Sequence, residues 1–411
     1  MTGSTDAETE VLVVSAGPAG ASAAAWAARS GRQVTLADAA TFPRDKTCGD
    51  GLTPRAMAEL DRLGLGAWTR SHVVNRGLRA HGFGSVWELP WPGGSLPDQG
   101  SAVPRAELDD KIRDCALDAG ATPLAGARAV DVVRDGDRVS GVVFQIGQDS
   151  RTVRCRQLVV ADGVRSPVGR LLGRTWHRDT AYGVAARSYV DSGRADEWIS
   201  SHLELRGEGG ELLSGYGWIF PLGGGQVNLG VGTLATARRP ADVALRPLMT
   251  SYAAQRREEW ELGDELRMPT SALLPMGGAV SGVAGRNWAL IGDAAACVNP
   301  LNGEGIDYGL EAGRLLVDLL DEDDLGRAWP ALLRSRYGRP FSIARRLAGL
   351  ITVPGLLGRL GPIGMGSRGL MAVALRVMGN LITDEDHDLV ARAWRTAGRL
   401  SHAGDSRPPF S

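Results

Sequence analysis

The stretch from Glu10 to Asp38 restricts the possible folds of this chain more than any other part of the sequence. An apolar, β-branched run ends at Val14 and leads directly into the turn Ser15-Ala16-Gly17-Pro18-Ala19-Gly20, which opens an alanine-rich segment. A second apolar run, Val34 to Ala37, ends on Asp38. This order of strand, glycine turn, helix, strand and acid predicts a dinucleotide-binding unit, in which the pyrophosphate lies at the helix N-terminus and the acid binds ribose hydroxyls.

One position departs from the G-x-G-x-x-G fingerprint, because Ser15 stands in place of the first glycine. That glycine permits the tight turn out of the strand, so a side chain there must tolerate the same backbone angles or shift the loop. Gly17 and Gly20, which allow close phosphate approach and close helix packing, are intact. The serine hydroxyl can also face a phosphate. We therefore expect dinucleotide binding that is weakened rather than abolished; for this motif alone, an ordinary strand–helix turn is the alternative.

Composition excludes several classes of protein. With 411 residues the chain is long enough for two closely packed domains. Its formal net charge of −1 gives no basis for nucleic-acid binding. The cysteines, at positions 48, 115, 155 and 297, have neither C-x-x-C nor zinc-site spacing, so no metal site is expected and a reduced, cytoplasmic protein is the simplest interpretation. The polar, acidic start, Met1 to Thr9, does not resemble a signal peptide.

The loop after Asp38 is charged and glycine-rich, and prolines at 43 and 54 restrict its conformation. It contains the run Lys46-Thr47-Cys48-Gly49. Cys48 lies between small and polar residues, which is unusual for a core cysteine, although a small buried filler is the alternative. Farther on, Arg105 lies in the first turn of a helix expected to run from Val103 to about Gly120. A basic residue there opposes the helix dipole and requires an anionic partner, either a cofactor phosphate or an acid in a surface salt bridge.

Two further apolar strands end in an acidic residue. One ends at Asp162-Gly163 and the other at Gly292-Asp293. The Asp293 carboxylate can accept hydrogen bonds from polyol hydroxyls. In the loop from Asn299 to Asp307, glycines at 303 and 305 allow backbone N–H groups to approach a ligand. From Ala181 to Thr233 the pattern changes to alternating strands with aromatic residues, and Arg238 to Glu265 is expected to be helical, so residues 181–265 predict a sheet-based substrate domain.

Three separated motifs together resemble the FAD-binding fold of the p-hydroxybenzoate hydroxylase superfamily. They are the N-terminal fingerprint, the strand end at Asp162-Gly163 with Ser166, and the strand end at Gly292-Asp293 with Pro300. Within that superfamily, Pro43 to Gly51 and Tyr216-Gly217-Trp218-Ile219-Phe220-Pro221 resemble the geranylgeranyl reductase family, closest to its actinobacterial menaquinone β-reductase branch. The resemblance implies FAD-dependent reduction of one isoprene double bond, that of the β unit, in the menaquinone tail.

The sequence pattern and the resemblance together predict an α/β fold with three parts. Residues 1–180 and 266–325 would form a discontinuous Rossmann-like FAD-binding domain, residues 181–265 an inserted β-sheet substrate domain, and residues 326–411 a helical, basic, membrane-associating region. Carried over position by position, the cofactor-binding residues are the turn from Ser15 to Gly20, Asp38, Lys46, Thr47, Cys48, Gly49, Arg105, the backbone near Val130, Asp162, Asp293, Pro300, Gly305 and Ile306.

Reduction of an isolated alkene requires a hydride donor, a proton source and protection from water. Reduced flavin supplies the hydride, and the faces of Tyr216 and Trp218 can stabilise positive charge on the tertiary carbon by cation–π attraction. Core packing of a strand is the alternative for both aromatic residues. Cys48 is expected near the flavin ring, as a proton donor or as part of the wall.

Other functions fit parts of the same pattern. The scaffold also serves FAD-dependent aromatic monooxygenases, the prenyl substrate can differ from menaquinone, and the chain can be a prenyl-lipid carrier whose flavin site has decayed at Ser15. A halogenase is disfavoured because the sequence has no W-x-W-x-I-P run. No second nucleotide-binding fingerprint is present, so NAD(P)H would visit the flavin transiently, or a ferredoxin or another redox partner would reduce it.

The C-terminal third is basic and apolar. Between Leu325 and Thr383 there are nine arginines and no acidic residue, and no stretch is long enough without charge or proline to span a bilayer. This pattern predicts helices that lie in an anionic membrane interface, where each arginine contributes about 1 kcal/mol. The protein would then be peripheral, on the cytoplasmic face of the cell membrane. A helical cap with a solvated basic face is the alternative.

Overall fold

The structure, a computed structural model, describes residues 7–411. A 3₁₀ turn spans Gly292–Ala295 and a π-helical turn spans Arg334–Gly338. The α-helices are α1 (Pro18–Arg29), α2 (Pro54–Leu63), α3 (Gly66–Arg70), α4 (Arg105–Asp118), α5 (Pro167–Leu171), α6 (Leu245–Trp260), α7 (Ile306–Val317), α8 (Leu325–Leu333), α9 (Arg339–Ile351), α10 (Leu356–Met365), α11 (Arg368–Met378) and α12 (Leu389–Ala403).

The strands form two large and two small sheets. They are β1 (Ala7–Val14), β2 (Val34–Ala37), β3 (Gly51–Leu52), β4 (Val73–Asn75), β5 (Gly77–Gly82), β6 (Ser85–Pro90), β7 (Gly100–Ala102), β8 (Thr122–Leu124), β9 (Ala127–Asp135), β10 (Arg138–Ile146), β11 (Asp149–Val160), β12 (Thr175–Trp176), β13 (Tyr182–Asp191), β14 (Trp198–His202), β15 (Gly215–Gly223), β16 (Gln226–Ala235), β17 (Arg267–Leu274), β18 (Val280–Ser281), β19 (Ala284–Gly285) and β20 (Trp288–Leu290).

The first large sheet has eight strands, and its central order is β19-β20-β11-β1-β2-β8. Strand β1 pairs in parallel with β11 and β2, so the carboxyl ends of all three strands meet at one edge. Val11 to Val13 are completely buried, as expected for a parallel strand covered on both faces. Helix α1 packs closely on α7, because alanine and glycine line the contact; a Cβ atom on Gly313 would lie 2.8 Å from the Ala19 carbonyl oxygen. This packing positions the turn before α1 against the start of α7.

The second large sheet has seven strands in the order β17-β13-β16-β15-β14-β5-β6. Its centre, β13 to β16, comes from the predicted substrate domain, residues 181–265. Strands β5 and β6, at 77–90, and β17, at 267–274, belong to it as well, although the sequence assigned those residues to the FAD-binding domain. The local pattern identifies a strand but does not say which sheet it joins, and β5 pairs with β14 across more than a hundred residues. Helix α6 packs on one face of this sheet.

The C-terminal helices α8 to α12 carry less unpaired positive charge than the sequence indicated. Of the nine arginines between 325 and 383, six bond to acids or carbonyls elsewhere in the protein: Arg334, Arg336, Arg345, Arg346, Arg368 and Arg376. Their acidic partners, Glu311, Asp388 and Asp405, lie outside the stretch whose composition was counted. The local excess of arginine is therefore partly neutralised by contacts that only the fold creates.

Within residues 7–411, no individual helix combines the length and apolarity needed to cross a membrane. The pair Leu325–Ile351 and Leu356–Met365 meets those criteria only when taken together, and it is bent by 112°.

Candidate active site

The turn between β1 and α1 has the geometry of an anion-binding helix N-terminus. Gly17 precedes α1, and no side chain among residues 7–411 caps this end of the helix, so its first backbone N–H groups are available to a pyrophosphate. Gly20 must be glycine, since a Cβ atom there would lie 1.9 Å from the Ser15 carbonyl oxygen. An Arg44 guanidinium nitrogen lies 3.4 Å from where a Cβ on Gly17 would be, which adds positive charge beside the turn. The sequence did not single out Arg44.

Ser15 occupies the backbone conformation that the fingerprint reserves for glycine, with φ of 81°. Its hydroxyl donates to Asp38 Oδ2 at 3.1 Å, and the Ala16 N–H donates to the same oxygen at 2.7 Å. The hydroxyl thus contacts Asp38, whereas the sequence left open that it faces a phosphate. The serine ties the first strand end to the second, and the ribose-binding role of Asp38 stays a prediction.

Ser15→Gly is expected to bind FAD more tightly than the parent. Relief of the left-handed serine is worth about 1 kcal/mol, or roughly fivefold in affinity, if the strain distorts the phosphate turn. Fluorescence titration of the FAD-free protein with FAD measures the dissociation constant. Ser15→Ala keeps the Cβ atom and removes the hydroxyl, so it should bind FAD more weakly than either. Equal dissociation constants for the parent and Ser15→Gly would contradict the predicted penalty.

Arg105 has the acidic partner that the sequence offered as one alternative, but the pair is buried rather than at the surface. Its guanidinium donates to both carboxylate oxygens of Asp109, at 2.7 and 2.8 Å, four residues on in α4. Asp109 is fully buried and also accepts from Arg44 at 2.9 Å. The Asp109 carboxylate therefore holds two guanidinium groups beside the loop that follows Asp38. The Arg105–Asp109 ion pair is buried. A direct contact of Arg105 with FAD stays a prediction.

Lys46 and Asp293 come together from strand ends far apart in the sequence. Lys46 Nζ lies 3.2 Å from Asp293 Oδ2. A Cβ atom on Gly305, just before α7, would lie 3.4 Å from Asp293 Oδ1, so the start of α7 approaches the same carboxylate. The buried Arg174, which the sequence missed, supports this turn by donating from Nε to the Ala294 carbonyl at 2.6 Å. The structure thus brings together three predicted FAD-binding positions at the carboxyl edge of the sheet.

Asn228 connects the Cys48 loop to the aromatic strand, and it is completely buried. Its amide nitrogen donates to the Cys48 carbonyl and to Asp50 Oδ2, both at 2.8 Å, while its Oδ1 accepts the Trp218 indole N–H at 2.9 Å. The sequence missed Asn228 and Asp50. The signal in the sequence was an amide side chain between the apolar residues Val227 and Leu229. A buried strand tolerates such a side chain only when its hydrogen bonds are satisfied.

A second connection runs through Arg187, which is also completely buried. Its guanidinium bonds to the Asp45 carboxylate and, at 3.1 Å, to the Lys46 carbonyl. Arg187 lies on β13 of the seven-stranded sheet, and Asp45 lies in the loop that follows Asp38. This ion pair therefore connects the seven-stranded sheet directly to that loop of the FAD-binding region.

Three aromatic side chains on β15 form a wall facing the Cys48 loop. Tyr216, Trp218 and Phe220 occupy every second position of the strand and so lie on one face. The ring centroids of Tyr216 and Trp218 are 6.0 Å apart, and those of Trp218 and Phe220 are 6.3 Å apart. A Cβ atom on Gly49 would lie 3.2 Å from the Trp218 and Phe220 rings, so glycine permits the close approach of the loop. The Tyr216 hydroxyl donates to the Asn302 carbonyl at 2.5 Å. Phe220 was not among the predicted site residues.

Burial raises the pKa of the acidic groups of this site. It raises the pKa of the Cys48 thiol above its ordinary value, against the opposing effect of the Arg105 charge. The thiol is therefore a proton carrier near neutral pH rather than a thiolate nucleophile. Burial also raises the pKa of Asp50 to about 6 and raises that of Glu304, which accepts a hydrogen bond from Thr53 at 2.5 Å. Neither acid was expected from the sequence.

Several predicted residues have other surroundings. Asp162 accepts hydrogen bonds from the Ser166 hydroxyl at 2.5 Å and from the Val168 N–H at 2.8 Å, so its carboxylate holds the start of α5. The Val130 side chain is 45% exposed on β9, whereas the start of that strand reaches Asp38 through the Ala127 N–H at 2.8 Å. Pro300 is buried in the loop before α7. Their contacts with FAD stay predictions.

Comparison with known proteins identifies the cofactor. Residues 8–202 match the family model described as an FAD binding domain. The chain is 62% identical over 409 residues to the menaquinone reductase of Mycobacterium tuberculosis, covering 99% of this chain and 100% of that protein. It is 28% identical over 339 residues to digeranylgeranylglycerophospholipid reductase 1 of Methanopyrus kandleri, covering 81% of this chain and 87% of that protein.

A solved structure has the same fold. It is a geranylgeranyl bacteriochlorophyll reductase-like protein from Thermoplasma acidophilum, with a TM-score of 0.77, 19% identity, and coverage of 95% of this chain and 99% of that chain. The predicted fold class, a Rossmann-like FAD-binding domain with a β-sheet domain and a helical C-terminal region, is thereby confirmed. The cofactor is FAD, and the turn before α1, with its uncapped helix end and its obligatory Gly20, fits the pyrophosphate of that cofactor.

Proposed function

Because this chain belongs to the menaquinone reductase family, we propose that it saturates one isoprene double bond of menaquinone, that of the β unit counted from the naphthoquinone ring. The observation that carries the proposal is the 62% identity that extends over the full length of the Mycobacterium tuberculosis relative. The aligned region includes the turn from Ser15 to Gly20, the loop that contains Cys48, and strand β15. The alignment therefore covers every part of the candidate site.

The residues of the site suit such a reduction. When bound and reduced, FAD supplies a hydride, so the alkene gains one hydride and one proton. The aromatic wall of Tyr216, Trp218 and Phe220 excludes water and presents ring faces that stabilise positive charge on the more substituted carbon. Cys48 holds its proton through burial and lies in the loop that faces this wall. We assign the proton-donor role to the Cys48 thiol.

Cys48→Ala is expected to retain FAD and to lose most of its turnover, by about a hundredfold, because general acid catalysis contributes on that scale. The measurement is the rate of single-turnover oxidation of the prereduced enzyme by menaquinone, normalised to bound FAD. Cys48→Ser, which restores a donor group of poorer acidity, should recover part of the rate. Unchanged turnover in Cys48→Ala would rule out the proton-donor role and leave Cys48 as part of the wall.

Mass spectrometry of quinones tests the reaction itself. The protein is expressed in a menaquinone-producing host that lacks its own reductase, and the quinone pool is compared with that of the empty host. A gain of two hydrogens in the tail, located by fragment masses in the second isoprene unit, is the expected result. A gain of one oxygen would identify a monooxygenase instead, and a gain of two hydrogens in another prenyl lipid would change the substrate.

The electron donor in this proposal is NAD(P)H or a redox protein that reaches the bound FAD transiently. Stopped-flow absorbance of the flavin distinguishes them, because bleaching by NADPH alone requires no protein partner.

The proposal also places the protein on the cytoplasmic face of the cell membrane, where its lipid-soluble substrate resides. Seven of the eleven large hydrophobic side chains exposed in residues 7–411 lie on or beside α9 to α12: Leu350, Leu360, Ile363, Leu370, Val373, Leu389 and Leu400. A groove of about 400 Å³ between α11 and α12 has an almost wholly apolar lining. Arg327, Arg339 and Arg359 form no ion pair with any described residue, so their charges can face anionic lipid.

Flotation with anionic liposomes tests this placement. The parent protein should rise with the vesicles, and Ile363→Glu combined with Leu360→Glu should reduce the bound fraction several-fold, because burying a charge in the interface opposes insertion. Leu171→Glu is the matched control, since Leu171 is also exposed but lies on α5. Parent protein that stays at the bottom of the gradient would defeat the membrane proposal.

A further inference from the structure

A group of potential metal ligands lies on the face of the seven-stranded sheet that packs against α6. It consists of His81 on β5, His202 on β14 and Glu259 on α6, and one ligand atom from each lies within 4.8 Å of the others. The two histidines occupy paired positions of adjacent parallel strands, and their rings stack with centroids 4.3 Å apart. Their convergence is therefore fixed by backbone pairing rather than by flexible side chains.

Both imidazoles retain a nitrogen without a partner. His202 is 4% exposed, and within residues 7–411 neither its buried Nε2 nor the buried Nε2 of His81 has a hydrogen-bond partner. An orphaned buried nitrogen costs free energy unless a ligand satisfies it. A neutral imidazole keeps a lone pair on one ring nitrogen, which a metal ion can bind.

Tyr252 supplies the outer support that metal-binding histidines usually have. Its hydroxyl lies 2.6 Å from His202 Nδ1, and burial raises the pKa of Tyr252, so the phenol stays neutral. A metal ion on Nε2, the unpartnered nitrogen, requires the tautomer in which Nδ1–H donates to the phenol oxygen, and this contact accommodates that tautomer.

The charges around the cluster are largely balanced before any cation binds. Arg256 donates to Glu259 Oε2 at 3.2 Å, and Arg194 lies 4.0 Å from Oε1 of the same carboxylate. Arg194 and Arg79 are in turn paired with Asp196. A carboxylate oxygen has more than one lone pair, so Glu259 can keep Arg256 while ligating an ion. Glu259 is exposed, which gives an ion access from solvent.

We propose that His81, His202 and Glu259 form a binding site for a divalent transition-metal ion of the zinc class, with water in the fourth position. Two imidazole nitrogens and one carboxylate are a ligand set that zinc accepts. Zinc–ligand bonds of about 2.0–2.2 Å place ligand atoms about 3.3 Å apart. The ligand atoms lie within 4.8 Å of one another and the two imidazoles are stacked, so binding requires both the rings and the exposed Glu259 side chain to rotate toward the ion.

The ion serves the structure rather than the reduction. A Cβ atom on Gly217 would lie 2.5 Å from the Tyr252 ring, so Gly217 faces α6. Tyr216 and Trp218, one position away on either side, face the opposite way because strand side chains alternate. The sheet thus separates the metal site from the aromatic wall, and the ion ties α6 to β5 and β14.

Metal binding to the FAD-loaded, untagged protein tests the site. After chelator treatment, titration with Zn²⁺ should give about one tightly bound ion per chain, and Co²⁺ should give the visible absorption of a four-coordinate site. Glu259→Gln and His81→Ala should each weaken Zn²⁺ binding at least about tenfold, and Tyr252→Phe about ten- to a hundredfold. The flavin spectrum should stay unchanged in Glu259→Gln, which reports that the protein is folded.

His72→Gln is the matched control, because His72 also lies beside a glutamate, Glu107, at 3.3 Å, but its ring packs on Trp68 and is not part of the cluster. It should bind Zn²⁺ as the parent does. Failure of the parent to bind Zn²⁺, or equal affinity in Glu259→Gln, His81→Ala and the parent, would overturn the proposal.

Discussion

Gly20→Ala is expected to weaken FAD binding by roughly a hundredfold or more. The added Cβ atom would lie 1.9 Å from the Ser15 carbonyl oxygen and 3.0 Å from Ala161 Cβ, and the first of these is backbone that cannot rotate away. The turn has to open, which moves the N–H groups of α1 that face the pyrophosphate. A forced backbone shift of this kind costs about 3 kcal/mol or more, or roughly a hundredfold in FAD affinity.

The absorbance ratio of flavin to protein after purification measures FAD occupancy, and calorimetric titration of the FAD-free protein gives the affinity. Gly349→Ala is a suitable control, since Gly349 lies on α9 and a Cβ atom there meets no other atom within 4 Å. It should keep full occupancy. Full FAD occupancy in Gly20→Ala would show that the turn does not hold the pyrophosphate as described.

Asn228→Leu is expected to destabilise the protein and to remove turnover even where FAD remains bound. The substitution leaves the Trp218 indole N–H, the Cys48 carbonyl and one oxygen of Asp50 without their buried partner. Unsatisfied buried groups of this kind together cost about 2–5 kcal/mol. The Asn228 amide sets both the orientation of Trp218 and the position of the loop that contains Cys48. Its loss therefore displaces both the aromatic wall and the proposed proton donor.

Asn287→Leu separates the two effects. Asn287 is also a buried amide, 1% exposed, with hydrogen bonds of 2.7 and 2.8 Å to the Arg156 and Val139 carbonyls, but it lies in the first sheet away from Cys48. It should lower the thermal midpoint to a similar extent and leave turnover per bound FAD close to that of the parent. Equal loss of turnover in both variants would mean that Asn228 acts through global stability alone.

The parts of the site that are contiguous in sequence could be predicted, because local geometry determines them. The position and shape of the turn from Ser15 to Gly20 can be predicted from its residues, because the strand, the turn and the helix are consecutive and form one unit. The Arg105–Asp109 pair was equally accessible, because residues four apart share a helix face. The prediction of an acidic partner for Arg105 named no residue, although Asp109 was the acid at that spacing.

The rest depends on pairing between distant segments. Asn228 reaches Asp50 across 178 positions, and nothing in either local pattern encodes that contact. The same holds for His81 and His202, which only the parallel pairing of β5 with β14 brings together. The arginine count overstated the unpaired charge for the same reason, because the partners of six C-terminal arginines lie outside the counted stretch.

The Arg187 ion pair has a consequence for how the molecule melts. Arg187 is completely buried on the seven-stranded sheet, and its acidic partner belongs to the loop of the other region. Pulling the regions apart leaves a buried charge uncompensated, at a cost of about 3–5 kcal/mol. Unfolding one sheet without the other is therefore unfavourable. Calorimetry should record one cooperative unfolding transition, although the sequence suggests two domains.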